Sequence, residues 1–440
     1  MTRYIPLLLT LAAFPLHAFA HEPAPPGACH AGAYTMSDGS HLLIEPSDAP
    51  NLRYRFLNGR SGKLFPVAPG RYESGEGWSV REPMTVRVRF GACDEGAVRF
   101  SREGSPGLEG GKVPLPIRPI EFESGGSTFY GELVMPVRRE PRAVVVLQYG
   151  SGRESAVVNN YVQYLLPLKD IAVFVFDKRG TGRSSGGYTI DIGTLADDMV
   201  AAVRAVRAQT EATRMPLGLM GESQGGWVAP LAARKLAVAD EPVDFVVVSY
   251  GLAISMLEED RQEVAQSLRA HGCGADVLAI GDEIHRAAAR VMLSRFDDGL
   301  RELESLKAAW RDEPWFEHLG GDFTSVLAST PAERMDEARA LFDFPYDLAY
   351  DPLPVIAGLT VPQLWILAGR DTEAPHESTL GRLRKLEERG LPIDISVFPD
   401  AEHGMIAVGT DEGAGHLAGR TVEGYFELLF DWIGRQNGSP

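Results

Sequence analysis

The stretch Gly221-Glu222-Ser223-Gln224-Gly225, followed by Gly226, lies between an apolar run at 217–220 and a helix-forming stretch at 227–236. A serine at the centre of G-x-S-x-G, on a sharp strand-to-helix turn, is presented for nucleophilic attack. Side chains two positions to either side would clash there, so glycine occupies both. A serine hydroxyl is a weak nucleophile and needs a base, which a third group must orient. In this arrangement the acid and then the histidine follow the serine along the chain. Asp371 comes just after the apolar run 364–368, and His403 stands in a loop after the strand-like run 393–398. These two are the expected partners of Ser223. Asp400 is a rival acid, and His376 and His416 are rival bases. They fit less well, because His376 follows Asp371 by five residues and opens a helix, while Asp400 shares the loop of His403. Attack on a carbonyl also needs donors for the developing oxyanion. The backbone N–H of Gln224 is one candidate. The N–H of Ser151 is the other, within Gln148-Tyr149-Gly150-Ser151-Gly152, where glycines let the backbone approach closely.

These residues need a scaffold. Short Val/Ile/Leu-rich runs at 143–147, 172–176, 217–220, 245–249 and 364–368 alternate with helical segments. Runs apolar on both faces predict a parallel sheet covered on both sides. Thr194 with an acid at Asp197 reads as a helix cap, followed by Leu195, Met199, Val203 and Val206 at helical spacing. From 251 to 345 the strand signal is lost and a helical insertion is expected, including Leu300–Trp310. Upstream, residues 21–112 are rich in Gly and Pro and read as short strands at 53–56, 84–90 and 98–100. The second alternates strictly, as a half-buried antiparallel strand does, and its arginines read as a solvated sheet face. Residues 114–119 read as a linker.

The chain has 440 residues, so two to three domains are expected. Its 43 Lys+Arg against 60 Asp+Glu give a net charge of −17, which disfavours nucleic-acid backbones and anionic lipid. With 44% hydrophobic residues and a mean hydropathy of −0.10, the composition is that of an ordinary folded protein. Charge is balanced over 21–115, with 11 acids and 11 bases, whereas the insertion alone has 19 acids against 10 bases. An acidic roof over the site is expected to favour neutral or cationic esters over anionic ones. Arg3, the apolar stretch 4–20 and Ala18-Phe19-Ala20 have the form of a cleaved secretory signal, which predicts a periplasmic or secreted protein without a membrane span. Of the cysteines, Cys29 and Cys93 are candidates for a disulfide in the first unit or for free buried thiols; Cys273 stands apart. No spacing suggests a metal or a cofactor.

The motif Asp177-Lys178-Arg179-Gly180-Thr181-Gly182-Arg183-Ser184 adds to the serine turn. Together they resemble the α/β-hydrolase family with a helical cap, in particular bacterial acyl esterases and dipeptidyl-peptidase-like hydrolases. The resemblance covers residues 120–434. It implies a doubly wound, mostly parallel sheet and a Ser223-Asp371-His403 triad, with Arg179 as a scaffold ion-pair partner. Gln148-Tyr149 departs from the His-Gly common in the oxyanion loop. Gln224 departs from the Tyr usual after the serine in prolyl-oligopeptidase-type peptidases, and the first unit is far too short for their propeller. The expected organisation is a signal at 1–20, a small β-rich domain at 21–115 and a hydrolase domain at 116–440 with a helical cap at 252–345. The expected activity is hydrolysis of a small-molecule acyl ester, with a peptidase or amidase on the same triad as the alternative.

Overall fold

Alternating apolar residues close the first unit into a barrel. The computed structural model describes residues 27–137, 140–209, 215–409 and 417–436, so the signal-like residues 1–20 and His416 lie outside the described residues. Eight antiparallel strands follow one another: β1 (Gly32–Met36), β2 (His41–Pro46), β3 (Leu52–Phe56), β4 (Ser61–Ala68), β5 (Arg71–Ser74), β6 (Val86–Phe90), β7 (Ala97–Arg102) and β8 (Leu108–Lys112). Each pairs with the next, and β8 returns to β1 with Lys112 opposite Tyr34. Closure removes the exposed edge that an open sheet would carry. An eight-stranded barrel is just wide enough for side chains to fill. Here Tyr54, Phe56 and Phe100 meet edge to face inside it. Arg87 and Arg89 are on the exposed outer face. Cys29 and Cys93 form a disulfide that ties the segment before β1 to the β6–β7 turn, and Cys273 is free.

A hairpin of β9 (Ile117–Ser124) and β10 (Ser127–Val134) opens the second sheet. Of the expected linker 114–119, residues 114–116 connect the barrel to this sheet, while 117–119 already belong to β9. Pro119 pairs opposite Glu132 on β9, the sheet's outermost strand, where a residue without an N–H is tolerated. The remaining strands are β11 (Ala143–Gln148), β12 (Ile171–Phe176), β13 (Leu217–Glu222), β14 (Phe245–Ser249), β15 (Gln363–Ala368) and β16 (Ile393–Phe398). Their order is β16-β15-β14-β13-β11-β12-β10-β9, parallel from β16 to β12.

Helices α1 (Ala156–Asn159) and α2 (Val162–Leu165) lie between β11 and β12, α3 (Ile192–Arg207) follows β12 and α4 (Gly225–Val238) follows β13. The α3 cap is Asp191 rather than Thr194: Asp191 Oδ1 accepts from the Thr194 N–H at 2.7 Å and from its hydroxyl at 2.6 Å. Both residue types cap helices, and the carboxylate satisfies the orphan amide. Between β14 and β15 the insertion forms α5 (Met256–Ala270), α6 (Ala275–Leu293), α7 (Leu300–Trp310), α8 (Thr324–Ser329), α9 (Met335–Leu341) and α10 (Leu353–Ala357). Buried Asp260 binds it together, accepting from the Phe323 and Thr324 amides and lying 2.8 Å from His285 Nδ1. Helix α11 (Glu377–Glu388) precedes β16 and α12 (Tyr425–Arg435) ends the fold. One face of the sheet packs on α3, α4 and α11. The other packs on α1, α2 and α12. A small sheet of β17 (Ala401–Glu402), β18 (Ile406–Val408) and β19 (Leu417–Thr421) joins the two units, as Thr421 N–H donates to Gly59 O at 2.8 Å. Among the described residues no helix is long and apolar enough to cross a membrane.

Candidate active site

Ser151, Ser223, Gln224, Asp371 and His403 lie beyond the C-terminal ends of the parallel strands β11, β13, β15 and β16, the edge where open α/β sheets bind ligands. Ser223 joins β13 to α4 with φ 52°, a left-handed conformation rare for a side chain larger than glycine. Its N–H donates to Ser249 O at 3.0 Å and its carbonyl accepts from the Gly226 N–H at 2.7 Å, which holds the turn. A Cβ on Gly221 would sit 2.0 Å from Gly225 O, and one on Gly225 would sit 2.4 Å from Gln148 O. The two flanking glycines are therefore steric requirements of the turn.

His403 Nε2 lies 3.1 Å from Ser223 Oγ. On the other side, His403 Nδ1 is 2.9 Å from Asp371 Oδ2 and 3.1 Å from Oδ1. Asp371, only 2% exposed, also accepts the Glu373 and Ala374 N–H groups at 3.0 and 2.7 Å. Burial disfavours a charged imidazole, but Asp371 more than offsets it, with Glu373 and Glu402 adding to the effect, and the His403 pKa is raised. Among the rivals, exposed Asp400 pairs with Arg370 at 3.3 Å and His376 stands at the N-terminus of α11 without a side-chain capping bond, whereas Asp371 meets His403 and His403 meets Ser223.

Three supporting residues escaped sequence reasoning. Glu402 Oε1 accepts from Thr372 N–H at 2.6 Å, Thr372 Oγ1 at 2.9 Å and His403 N–H at 3.2 Å, which ties the Asp371 and His403 loops together. The Tyr250 ring stands edge-on to the His403 imidazole, 5.0 Å between centroids. Buried Lys178 bonds through Nζ to Gly150 O and is 3.5 Å from Gln224 Oε1. Only the adjacency of Glu402 to His403 and the place of Lys178 in the Asp177–Ser184 motif were visible signals.

Ser151 and Gln224, the expected oxyanion donors, line one cavity of about 270 Å³ with Ser223 and His403. In a trans peptide the C=O and the following N–H point opposite ways. Lys178 holds Gly150 O, which turns the Ser151 N–H away from Lys178. The Tyr188 hydroxyl donates to Ser151 O at 2.8 Å and fixes the next peptide. Burial, opposed by Glu154, brings the Lys178 pKa down to about 8. In the Asp177–Ser184 motif, Arg179 forms a two-point pair with Asp198, at 2.5 and 3.1 Å.

The cap closes the cavity with Met256, Phe323 and Phe344 and adds Glu259 and Asp322, while Glu373 approaches from beside His403. Burial and the neighbouring acids raise Glu259 well above the usual carboxyl range, and push Asp322 up to about 6. Among the described residues no Lys or Arg lines this cavity. Among the described residues, the one grouping of side chains close enough to hold a metal ion is Cys29, His30 and Cys93, whose cysteines are bonded to each other.

Residues 139–258 match the family described as serine aminopeptidase, S33. No curated protein matches the sequence. Among solved structures, an esterase of Pyrococcus furiosus is similar at 14% identity and a TM-score of 0.42, covering 73% of this chain and 90% of its own. The acylaminoacyl peptidase of Pyrococcus horikoshii is similar at 14% identity and a TM-score of 0.44, covering 90% of this chain, which spans 56% of that one. The α/β hydrolase GrgF of a Penicillium species is similar at 17% identity and a TM-score of 0.42, covering 66% of this chain and 92% of its own. By its sheet order, its serine turn and its family match, the chain has the α/β-hydrolase fold behind an N-terminal all-β domain and resembles the serine hydrolases of that family.

Proposed function

We propose that the protein hydrolyses small-molecule carboxylic esters through an acyl-enzyme on Ser223, with His403 and Asp371 completing the triad. The unbroken line from Ser223 Oγ to His403 Nε2, and from His403 Nδ1 to Asp371, carries this reading. Ser223 Oγ bonds to the acyl carbon as its proton passes to His403 Nε2, and the carbonyl π pair moves to oxygen. The Gln224 and Ser151 amides stabilise that oxyanion. His403 returns the proton to the departing alkoxide as the C–O bond breaks. A water then gives a proton to His403 and its oxygen to the acyl carbon. Collapse releases the acid and restores the Ser223 hydroxyl. Asp371 fixes the tautomer and offsets the imidazolium charge.

A second reading has its own support: an aminoacyl ester or amide as substrate. Asp322 and Glu373 face a cavity that no Lys or Arg lines among the described residues, a setting suited to a substrate ammonium. The comparison uses p-nitrophenyl butyrate, an alanine p-nitrophenyl ester, an alanine p-nitroanilide and a succinate half-ester, on wild type and Ser223→Ala. Ester turnover lost in Ser223→Ala, with the anionic half-ester slowest, is the expected result. Anilide turnover matching the esters would make the protein an amidase, and equal turnover of the half-ester would remove the acidic wall from substrate choice. The reading includes export to the periplasm or beyond. The Cys29–Cys93 disulfide supports an oxidising compartment.

A further inference from the structure

Three aromatic rings face the Ser223 cavity from one short stretch of the cap. Between α9 and α10 exposure alternates as it does along a strand: Phe342, Phe344 and Tyr346 are half-buried, while Asp343, Pro345 and Asp347 are exposed. The three rings line the cavity and the residues between them do not. Pro345 O accepts from Thr189 Oγ1 at 2.9 Å and from the Ile190 N–H at 3.0 Å, which ties the stretch to the hydrolase unit ahead of α3. From beyond α6, Arg295 donates to Phe344 O at 2.9 Å and to Tyr346 O at 3.1 Å, and the Tyr346 hydroxyl donates to Met292 O at 2.7 Å. Arg295 and Phe296 hold φ of 56° and 67°, left-handed conformations that persist only where surrounding contacts enforce them and that gather at ligand clamps.

Tyr188 extends this wall from the hydrolase unit. Its ring meets Phe344 edge to face at 5.3 Å between centroids, and its hydroxyl donates to Ser151 O. Exposed Arg153 lies 4.1 Å from the Tyr188 ring centre and 5.5 Å from that of Phe344, outside the cavity lining. The wall is therefore fixed by backbone bonds and ring contacts before a substrate enters. Its place relative to the triad assigns its role. His403 Nε2 must give its proton to the leaving oxygen, so the leaving group lies on the His403 side, where Glu373 comes within 3.7 Å. The wall is tied instead to Ser151 of the oxyanion loop, which leaves it to the acyl group.

A cavity of about 270 Å³ lies just below the range of about 300–1,000 Å³ usual for ligand pockets, so the acyl group is compact. Fixed rings recognise another ring edge to face or by offset stacking, whereas a flexible chain must give up rotamer freedom to lie against them. We infer that the site takes arylalkanoyl esters, a ring joined to the ester carbonyl by a short linker, and that Phe344 and Tyr188 are the residues that select them.

The inference rests on the Ser223 reading, and the assay separates the two. The substrates are p-nitrophenyl phenylacetate and p-nitrophenyl octanoate, whose acyl groups have equal carbon number. Their kcat/KM, per site titrated by a fluorophosphonate, is measured for wild type, Phe344→Ala and Asp343→Ala, with turnover by Ser223→Ala measured alongside. Wild type is expected to prefer the phenylacetate by about tenfold. Phe344→Ala should cut that ratio by about threefold or more. Asp343→Ala, which removes an exposed side chain from the opposite side of the same stretch, should keep the wild-type ratio. Octanoate turned over by wild type as fast as phenylacetate would overturn the inference and leave the Ser223 mechanism standing. So would a Phe344→Ala ratio equal to that of wild type. Ester turnover that survives in Ser223→Ala would instead remove the mechanism, and the inference with it. If Phe344→Ala does not accumulate as folded protein, Phe344→Leu is read by the same ratio.

Discussion

Asp371→Asn isolates the orientation of the base from its presence. The carboxylate has three partners: Oδ1 accepts the Glu373 and Ala374 amides, and both oxygens face His403 Nδ1. An asparagine keeps its carbonyl on the two amides and turns its NH2 toward His403. Two donors cannot face each other, so the imidazole moves its proton to Nε2, the nitrogen 3.1 Å from Ser223 Oγ. In that tautomer it cannot take the serine proton. A wrong-tautomer histidine in such a triad lowers kcat by about 10⁴, which is about 5.5 kcal/mol of barrier at about 1.4 kcal/mol per decade. Because the backbone bonds survive, Tm should stay within a few degrees of wild type. The assay is single-turnover acylation with p-nitrophenyl butyrate, alongside thermal unfolding. Exposed Asp400→Asn is the control, with no change expected. A loss of less than about tenfold in well-folded Asp371→Asn would refute the assignment.

The activity of wild type should be bell-shaped in pH. His403 must be neutral to act, and its pKa is raised, so the rising limb should lie above the 6.5 of an unperturbed histidine. Lys178 loses its ammonium as pH passes about 8, which loosens Gly150, so a falling limb is expected there and should vanish in a slower Lys178→Met variant. Replacing Cys29 and Cys93 by serine frees a loop with a sequence separation of 64 and should lower stability by about 4 kcal/mol, read as a loss of Tm that reductant reproduces in wild type. Arg179→Ala strands buried Asp198 and should cost about 3–5 kcal/mol, measured by urea unfolding, with kcat per titrated site unchanged.

The parts of the site that could be read from sequence are those whose chemistry imposes a local pattern. The Ser223 turn demands glycine at 221 and 225 because backbone atoms approach within 2.0 and 2.4 Å of where a Cβ would stand. Asp371 and His403 follow apolar strands that announce themselves by composition. Barrel closure was not readable, because the pairing of β1 with β8 joins residues 74 to 78 apart with no local signature. Pro119 misled by chemistry that is correct for a central strand and wrong for an edge. Glu402, Tyr250 and Lys178 are ordinary residues whose roles exist only once distant loops meet. Arg55 resembles Arg87 on an alternating strand; only the packing of the hydrolase unit on one side of the barrel buries the first and leaves the second in water.

The central claim is that Ser223 is the nucleophile activated by His403. Its most direct test is intact-mass measurement after treatment with a fluorophosphonate, followed by peptide mapping. The account predicts one adduct per chain, located on Ser223, formed far more slowly in His403→Ala and absent in Ser223→Ala. Equal labelling of wild type and Ser223→Ala, or an adduct mapped to another residue, would contradict it.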